Sequence, residues 1–451
     1  MRRRRVATAF VMSLAALAAV FTAGAAAAGV TAPDTRLLEA VKEGNRDAVR
    51  ALLRAHVDVN APEVDGTTAL HWAVQSDDVE TVRLLLHAGA NAKAVNRYGV
   101  MPLSMAARNG DAAVVEMLLG AGADPNSALA EGETVLMTAA RTGRVDALKV
   151  LIAHGANVNA REQWLGETAL MWAAAENHAD ATRLLVASGA EVNARSKTLA
   201  FPKIAFNGST MVSTPMPRGS MTALMMAARQ DAIDGVRALV DAKADLNLTD
   251  PDGTTALVMA IVNGHNEVAA LLLDAGADPN VADASGMAAL YAVIDQRNAG
   301  GYINRPKRQT TGDIDSLEIL KRVLAHGGHP DARLKTPILQ KFHNSGDTQL
   351  TDGATPLMRA AKATDVEAMR LLLEHGANPN LMTRGLNTAL MFAAGSGGGR
   401  GRSPVAGAPE DAVALCVKYG ADVNAFDKTG QTALHIAAQR SEQIVRLLAE
   451  H

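Results

Sequence analysis

A leucine returns along this chain every 33 or 34 residues, in three runs: Leu70, Leu103, Leu136 and Leu170; Leu224, Leu257 and Leu290; Leu357 and Leu390, with Leu434 following after a longer gap. Its usual setting is Thr-Ala-Leu or Thr-Pro-Leu, with an alanine three positions on. A fixed period of this length means that like units stack in one dimension instead of closing around a single core. That constraint overrides chain length, since 451 residues alone would suggest about three globular domains. Composition agrees: 48% hydrophobic but only 3% aromatic residues suit an array packed by alanine and leucine, with too much apolar material for wholesale disorder.

One period reads as two short helices and a turn. In Gly66-Thr67-Thr68-Ala69-Leu70-His71-Trp72-Ala73, Gly66 closes a tight turn and Thr68 caps a helix whose Leu70 and Ala73 face the stack. Val82, Leu84, Leu85 and Leu86 form a second apolar helix, which Gly89 ends as a left-handed residue. The same order recurs from Met117 to Asn126 and from Leu271 to Asn280. Counting second helices gives eleven units over residues 35–451. The first unit is more charged and lacks the turn motif, as an N-terminal cap should. The last, with Ile444, Leu447 and Leu448, is expected to cap the other end.

This motif, repeated ten times, resembles the ankyrin repeat. The expected fold is therefore an all-α solenoid of about eleven helix-turn-helix units with projecting finger turns. The resemblance implies a non-catalytic scaffold that binds a protein on its concave face, without a cofactor. It also implies that the histidine after the motif leucine ties adjacent turns together. Only His71 and His435 keep it; Ser104, Met137, Met171, Met225, Val258, Tyr291, Met358 and Met391 stand there elsewhere. Family partners touch the residue just after the Ala-Ala of each first helix, together with the finger tips. Here the former are Gln75, Arg108, Arg141, Arg229, Asp295, Lys362 and Gln439, with Ala175 and Glu176 interrupting the basic row. Tyr98 and Trp164 are the candidate tips, and aromatic and arginine side chains are the usual hot spots of interfaces. The competing reading is a solvated face whose arginines pair with acids such as Glu116 or Glu176.

Departures from the pattern carry expectations too. Met101 and Ala288 replace the capping threonine, and His56 and Lys243 replace the glycine at two helix ends. A left-handed residue with a Cβ costs on the order of 1 kcal/mol. Four inserts break the period, near 196–220, 298–315, 333–352 and 395–409. Inserts in repeat arrays fall in loops, often on a binding face. Three hold clustered cations: Lys197, Lys203 and Arg218; Arg305, Lys307 and Arg308; Arg400 and Arg402. They raise a second functional reading, an anionic ligand such as a polysaccharide or lipid headgroup.

Residues 1–28 follow a different grammar. Arg2 to Arg5, an apolar stretch from Val6 to Val20 and an Ala26-Ala27-Ala28 cleavage site before Gly29 have the layout of a secretory signal peptide. Residues 29–34 would then be a short linker, leaving no membrane span; the alternative is an uncleaved N-terminal anchor, since roughly 20 residues can span a bilayer. Loss of four arginines and no acid moves the formal net charge from −3 to −7, unlike a general nucleic-acid binder. The alanine-rich, exported chain is expected to be a periplasmic or secreted monomer. Its single cysteine, Cys416, lies in the apolar row of a second helix and reads as a small core residue.

Candidate chemistry is sparse. Met211, Met216, Met221, Met225 and Met226 crowd sixteen residues, and thioethers select Cu(I), which gives a third reading as a copper-binding or oxidation-responsive protein. Against it, Met225 and Met226 occupy regular helix positions. The run 395–403 lacks the lysine and first glycine of a phosphate loop and follows a helix. Hydrolase and metal-ligand motifs are absent, and His87, His154, His326 and His375 sit at helix ends, where a cation suits the dipole.

Overall fold

The computed structural model describes residues 34–200, 218–298, 312–336, 350, 352–395 and 407–451. Within them the chain forms twenty-two helices in eleven pairs. Units 1 to 5 pair Arg36–Lys42 with Arg46–Arg54, Ala69–Gln75 with Val79–His87, Pro102–Asn109 with Ala112–Gly120, Val135–Arg141 with Val145–Ala153, and Ala169–Ala175 with Ala179–Ala187. Units 6 to 8 pair Ala223–Arg229 with Ile233–Asp241, Ala256–Asn263 with Asn266–Asp274, and Ala289–Arg297 with Ser316–Ala325. Units 9 to 11 pair Pro356–Lys362 with Val366–Glu374, Ala389–Ala393 with Pro409–Lys418, and Ala433–Ala437 with Glu442–Ala449.

Helices of two turns are unstable alone, so stacking must hold them. The periodic leucines supply it: from Leu70 to Leu390 every one is buried between neighbouring units, worth about 2 kcal/mol each. At every junction but the last, first helices pack against one another more closely than second helices do. The stack therefore bends with its first helices and fingers on the inner side.

Local chemistry follows the motif. Thr134, Thr168, Thr222, Thr255, Thr355, Thr388 and Thr432 each cap a first helix through the side-chain oxygen. Met101 has no such oxygen, and only the reciprocal bond forms, the Ser104 hydroxyl accepting from the Met101 N–H at 3.2 Å. His56 and Lys243 adopt φ of 57° and 62°, the left-handed conformation their places require.

Units are joined by a clamp that periodicity did not reveal. The Asn126 side chain donates to the Gly155 carbonyl at 3.1 Å and accepts from the Asn157 N–H at 2.7 Å. Asn60, Asn159, Asn280 and Asn380 repeat both contacts with the following unit. A second tie runs between fingers, as when the Arg97 N–H donates to the Asp65 carbonyl at 2.7 Å.

His71 does bridge turns. Its Nδ1 accepts from the Thr68 N–H at 3.2 Å, so Nε2 carries the hydrogen and donates to the Val100 carbonyl of the next finger, also at 3.2 Å. Burial holds its pKa below the ordinary 6.5. The unfolded chain then takes up a proton that the folded chain resists, so stability falls as pH drops below about 6.5. We expect urea melts to show a smaller loss between pH 7.5 and 5.5 for His71→Met, which carries the residue that Met137 and Met171 place there. An unchanged loss would remove His71 from that account.

The expected all-α solenoid is what the chain forms; the one addition is a short pairing at the base of the first insert, where Thr198–Leu199 runs antiparallel to Arg218–Gly219. There the Arg195 guanidinium donates to the carbonyls of Ser220 and Thr249 and anchors the hairpin to its unit. In the last described unit Leu434 is 38% exposed and Phe426 60%. Cys416 is fully buried, and burial pushes its thiol up to about 12, so it behaves as a core residue.

Candidate binding surface

The inner side is a shallow groove between first helices and fingers. Its floor at successive first helices is Trp72, Met105, Thr138, Trp172, Met226, Met259, Ala292, Arg359 and Phe392, each five residues into its unit's motif. Its rim is the row Gln75, Arg108, Arg141, Ala175, Arg229, Val262, Asp295 and Lys362. Helix geometry puts residues three apart on one side, which is why a single repeated offset lines a whole groove.

Two stations of the groove are built alike. Trp72 is half-buried, its indole N–H donates to Glu63 at 3.2 Å, and Lys42 of the preceding unit lies 4.5 Å above the ring while pairing with Glu63. Trp172 donates to Glu167 at 2.7 Å, and the Arg141 guanidinium of the preceding unit lies 5.1 Å from its ring. Arg141 also pairs with Glu133 at 3.1 Å, and Thr138 donates to the same carboxylate at 2.8 Å. A cation over an indole face gains about 1 kcal/mol at such half-exposed places. Both tryptophans are thereby fixed in orientation.

The sequence-predicted residues fall into distinct environments. Gln75, Arg108, Arg229 and Gln439 are exposed, and Arg229 reaches the Met221 thioether at 3.4 Å. Arg141 is engaged, but with Glu133; Glu116 instead faces His154 at 3.0 Å on the second helices. Asp295 is not an open groove residue: Arg359 of unit 9 reaches back to it at 2.9 Å. Lys362 is half-buried beside that pair and has interactions of its own. Gln439 lies in the last unit, far along the stack from the others.

The finger tips stand clear. Tyr98 is 66% exposed, with Arg97 stacked 5.2 Å from its ring, and the turn is set by Asn96, whose side chain accepts from the N–H groups of Tyr98 and Val100. Trp164 is 71% exposed. The buried Glu162 carboxylate accepts from the backbone N–H groups of Trp164, Leu165 and Glu167, so this tip is held by three charge-assisted bonds. Val64 and Val95 add exposed apolar surface on neighbouring fingers, a contribution the motif analysis missed although Val95 lies in the same turn as Tyr98.

Of the thioethers, Met221, Met225 and Met226 are buried in the stack, while Met211 and Met216 lie outside the described residues. No cluster of three or more histidine, cysteine or acidic side chains suited to a metal ion occurs among the described residues. Of the basic inserts, Lys197 and Arg218 flank the hairpin base; Lys203, Arg305, Lys307, Arg308, Arg400 and Arg402 lie outside the described residues. No described helix is long and apolar enough to cross a membrane.

A family model described as ankyrin repeats in three copies matches residues 21–96, 37–128, 103–196, 205–283 and 315–402. A second, described as ankyrin repeats in many copies, matches residues 405–448. Together the matches cover well over half of the chain.

Proposed function

Since the chain belongs to the ankyrin repeat family, we propose that it is a non-catalytic scaffold that binds a protein across its first-helix groove and finger tips. The observation that supports this most is the pair of aromatic tips, Tyr98 and Trp164, held out by internally bonded turns beside exposed arginines. Such anchors lose little entropy on binding, because their turns are already ordered. Gln75, Arg108, Arg141, Arg229, Lys362 and Gln439 belong to the proposed contact row. Arg141 would act there chiefly by fixing Trp172.

The proposed site of action is outside the cytoplasm, in the periplasm or beyond. Support comes from the layout of residues 1–28, with removal before Gly29 leaving an acidic monomer. A native protein whose N-terminal peptide begins at Gly29 by mass spectrometry agrees with this; an intact N-terminal leader contradicts it.

The binding reading is tested by affinity capture with the wild-type chain and an Arg108→Ala/Arg141→Ala/Arg229→Ala variant, at low and high salt. We expect one protein retained by the wild type at high salt and lost from the variant. Recovery of only salt-labile polyanions, equal for both chains, would move the function to the basic inserts.

A further inference from the structure

The groove differs in kind along its length. At units 8 and 9 the groove charges Asp295 and Arg359 are spent on each other, beside a further ion-pair network that joins the two units. Arg359, only 5% exposed, holds Asp295 at 2.9 Å; Arg297 holds Asp365 at 2.8 Å and Glu367 at 2.9 Å; Asn298 donates to Asp365 at 3.1 Å. In units 2–6 the pattern is reversed. Three carboxylates there are engaged, Glu63 by Lys42 and Trp72, Glu133 by Arg141 and Thr138, Glu167 by Trp172, while Glu176 is exposed. Arg108 and Arg229 are exposed, and among the described residues neither is within ion-pair distance of a carboxylate. Of the exposed apolar finger residues, Val64, Val95, Tyr98 and Trp164 belong to this same stretch, and Phe426 lies at the far end in unit 11.

We propose that units 2–6 alone form the partner site, and that the partner presents an acidic segment with apolar side chains to it. The proposal rests on the protein-binding reading and adds which part of the groove is used and which charge it selects. Arg108 and Arg229 are three units apart, about 30 Å at normal helix-packing distances, so the matching carboxylates stand about nine residues apart in extended chain. Between them Trp164 offers apolar contact, with Tyr98 at the Arg108 end, and Glu176, exposed at the one station with an alanine at the rim, repels an acid placed in the middle. Electrostatic complementarity of this type sets specificity and register.

A library of random sixteen-residue peptides displayed on phage, panned against the full chain, tests this. The expected selection is enriched in aspartate or glutamate at two positions about nine residues apart, with aromatic or aliphatic residues between. A synthetic peptide of that consensus should bind about tenfold or more weakly to Arg108→Glu/Arg229→Glu, and with unchanged affinity to Arg237→Glu/Arg370→Glu on the second helices. Should the reversal variant melt early, Arg108→Gln/Arg229→Gln replaces it and should show a smaller loss in the same direction. Peptides without acidic enrichment that are nonetheless lost on Tyr98→Ala/Trp164→Ala would overturn the acidic partner and leave the protein-binding reading standing. Selection of no peptide, or of peptides indifferent to all four groove residues, would overturn both.

Discussion

Replacing Asp365 by alanine is expected to cost about 3–5 kcal/mol, the range for removing one member of a buried ion pair. Its side chain is 1% exposed and that of Arg297 7%, so little solvent is at hand to take over the lost charge. Asp365 also caps the second helix of unit 9 by accepting from the Ala368 N–H at 3.3 Å, and it accepts from Asn298. Its removal leaves the Arg297 guanidinium with the exposed Glu367 and the Ser316 hydroxyl and uncaps a helix in one step. In a repeat array such a loss is felt at one junction. Denaturant melts followed by circular dichroism should therefore split, with units 9–11 unfolding ahead of the rest. The pair change Arg297→Met/Asp365→Leu should be far milder, because it leaves no orphaned charge. A single unshifted transition for Asp365→Ala would show that the buried pair contributes nothing at this junction.

Gly235→Val should cost about 3 kcal/mol, at the upper end for overpacking a core. Gly235 lies within the second helix of unit 6, where its neighbours in other units are Thr81, Val114, Ala147, Ala181 and Val268. A Cβ there would stand 2.4 Å from the Ala174 carbonyl oxygen in the first helix of unit 5. The obstacle is backbone and cannot rotate away, so units 5 and 6 would have to part. They are the most closely packed neighbours in the stack. Glycine inside a helix ordinarily loses about 1 kcal/mol relative to alanine. Gly235→Ala therefore isolates the clash: a net loss of stability in a chemical melt means packing outweighs propensity, and a gain would show that the units separate freely.

The sequence carried most of the architecture because the stack faces repeat at one offset. The leucine column and the turn glycines are chemically constrained in every unit, so they can be counted without a structure. Asp295, Arg359, Arg297 and Asp365 were not legible in this way. They sit at offsets that other units fill with unrelated residues, and their pairing crosses a unit boundary lengthened by two inserts. Asp295 thus looked like a groove residue until Arg359 was seen beside it. The Asn126-type clamp was legible in principle, since asparagine stands four residues past the helix-ending glycine in most units, as at Asn126, Asn159, Asn280 and Asn380, but its partners are the backbone of the following unit. For the surface, exposure of Tyr98 and Trp164 followed from their place in the turn. Whether an arginine in the groove is free or engaged depended on neighbours such as Glu133, eight positions away and on another element.

The central claim is that a protein docks on the inner side of units 2–6. It is tested most directly by photo-crosslinking in the cells that make the protein, with a benzophenone amino acid placed in turn at positions 98, 164, 237 and 370. The account predicts adducts with one and the same protein from 98 and 164 and none from 237 and 370, which lie on second helices. Adducts confined to 237 or 370, or no protein adduct from either finger tip, would contradict it.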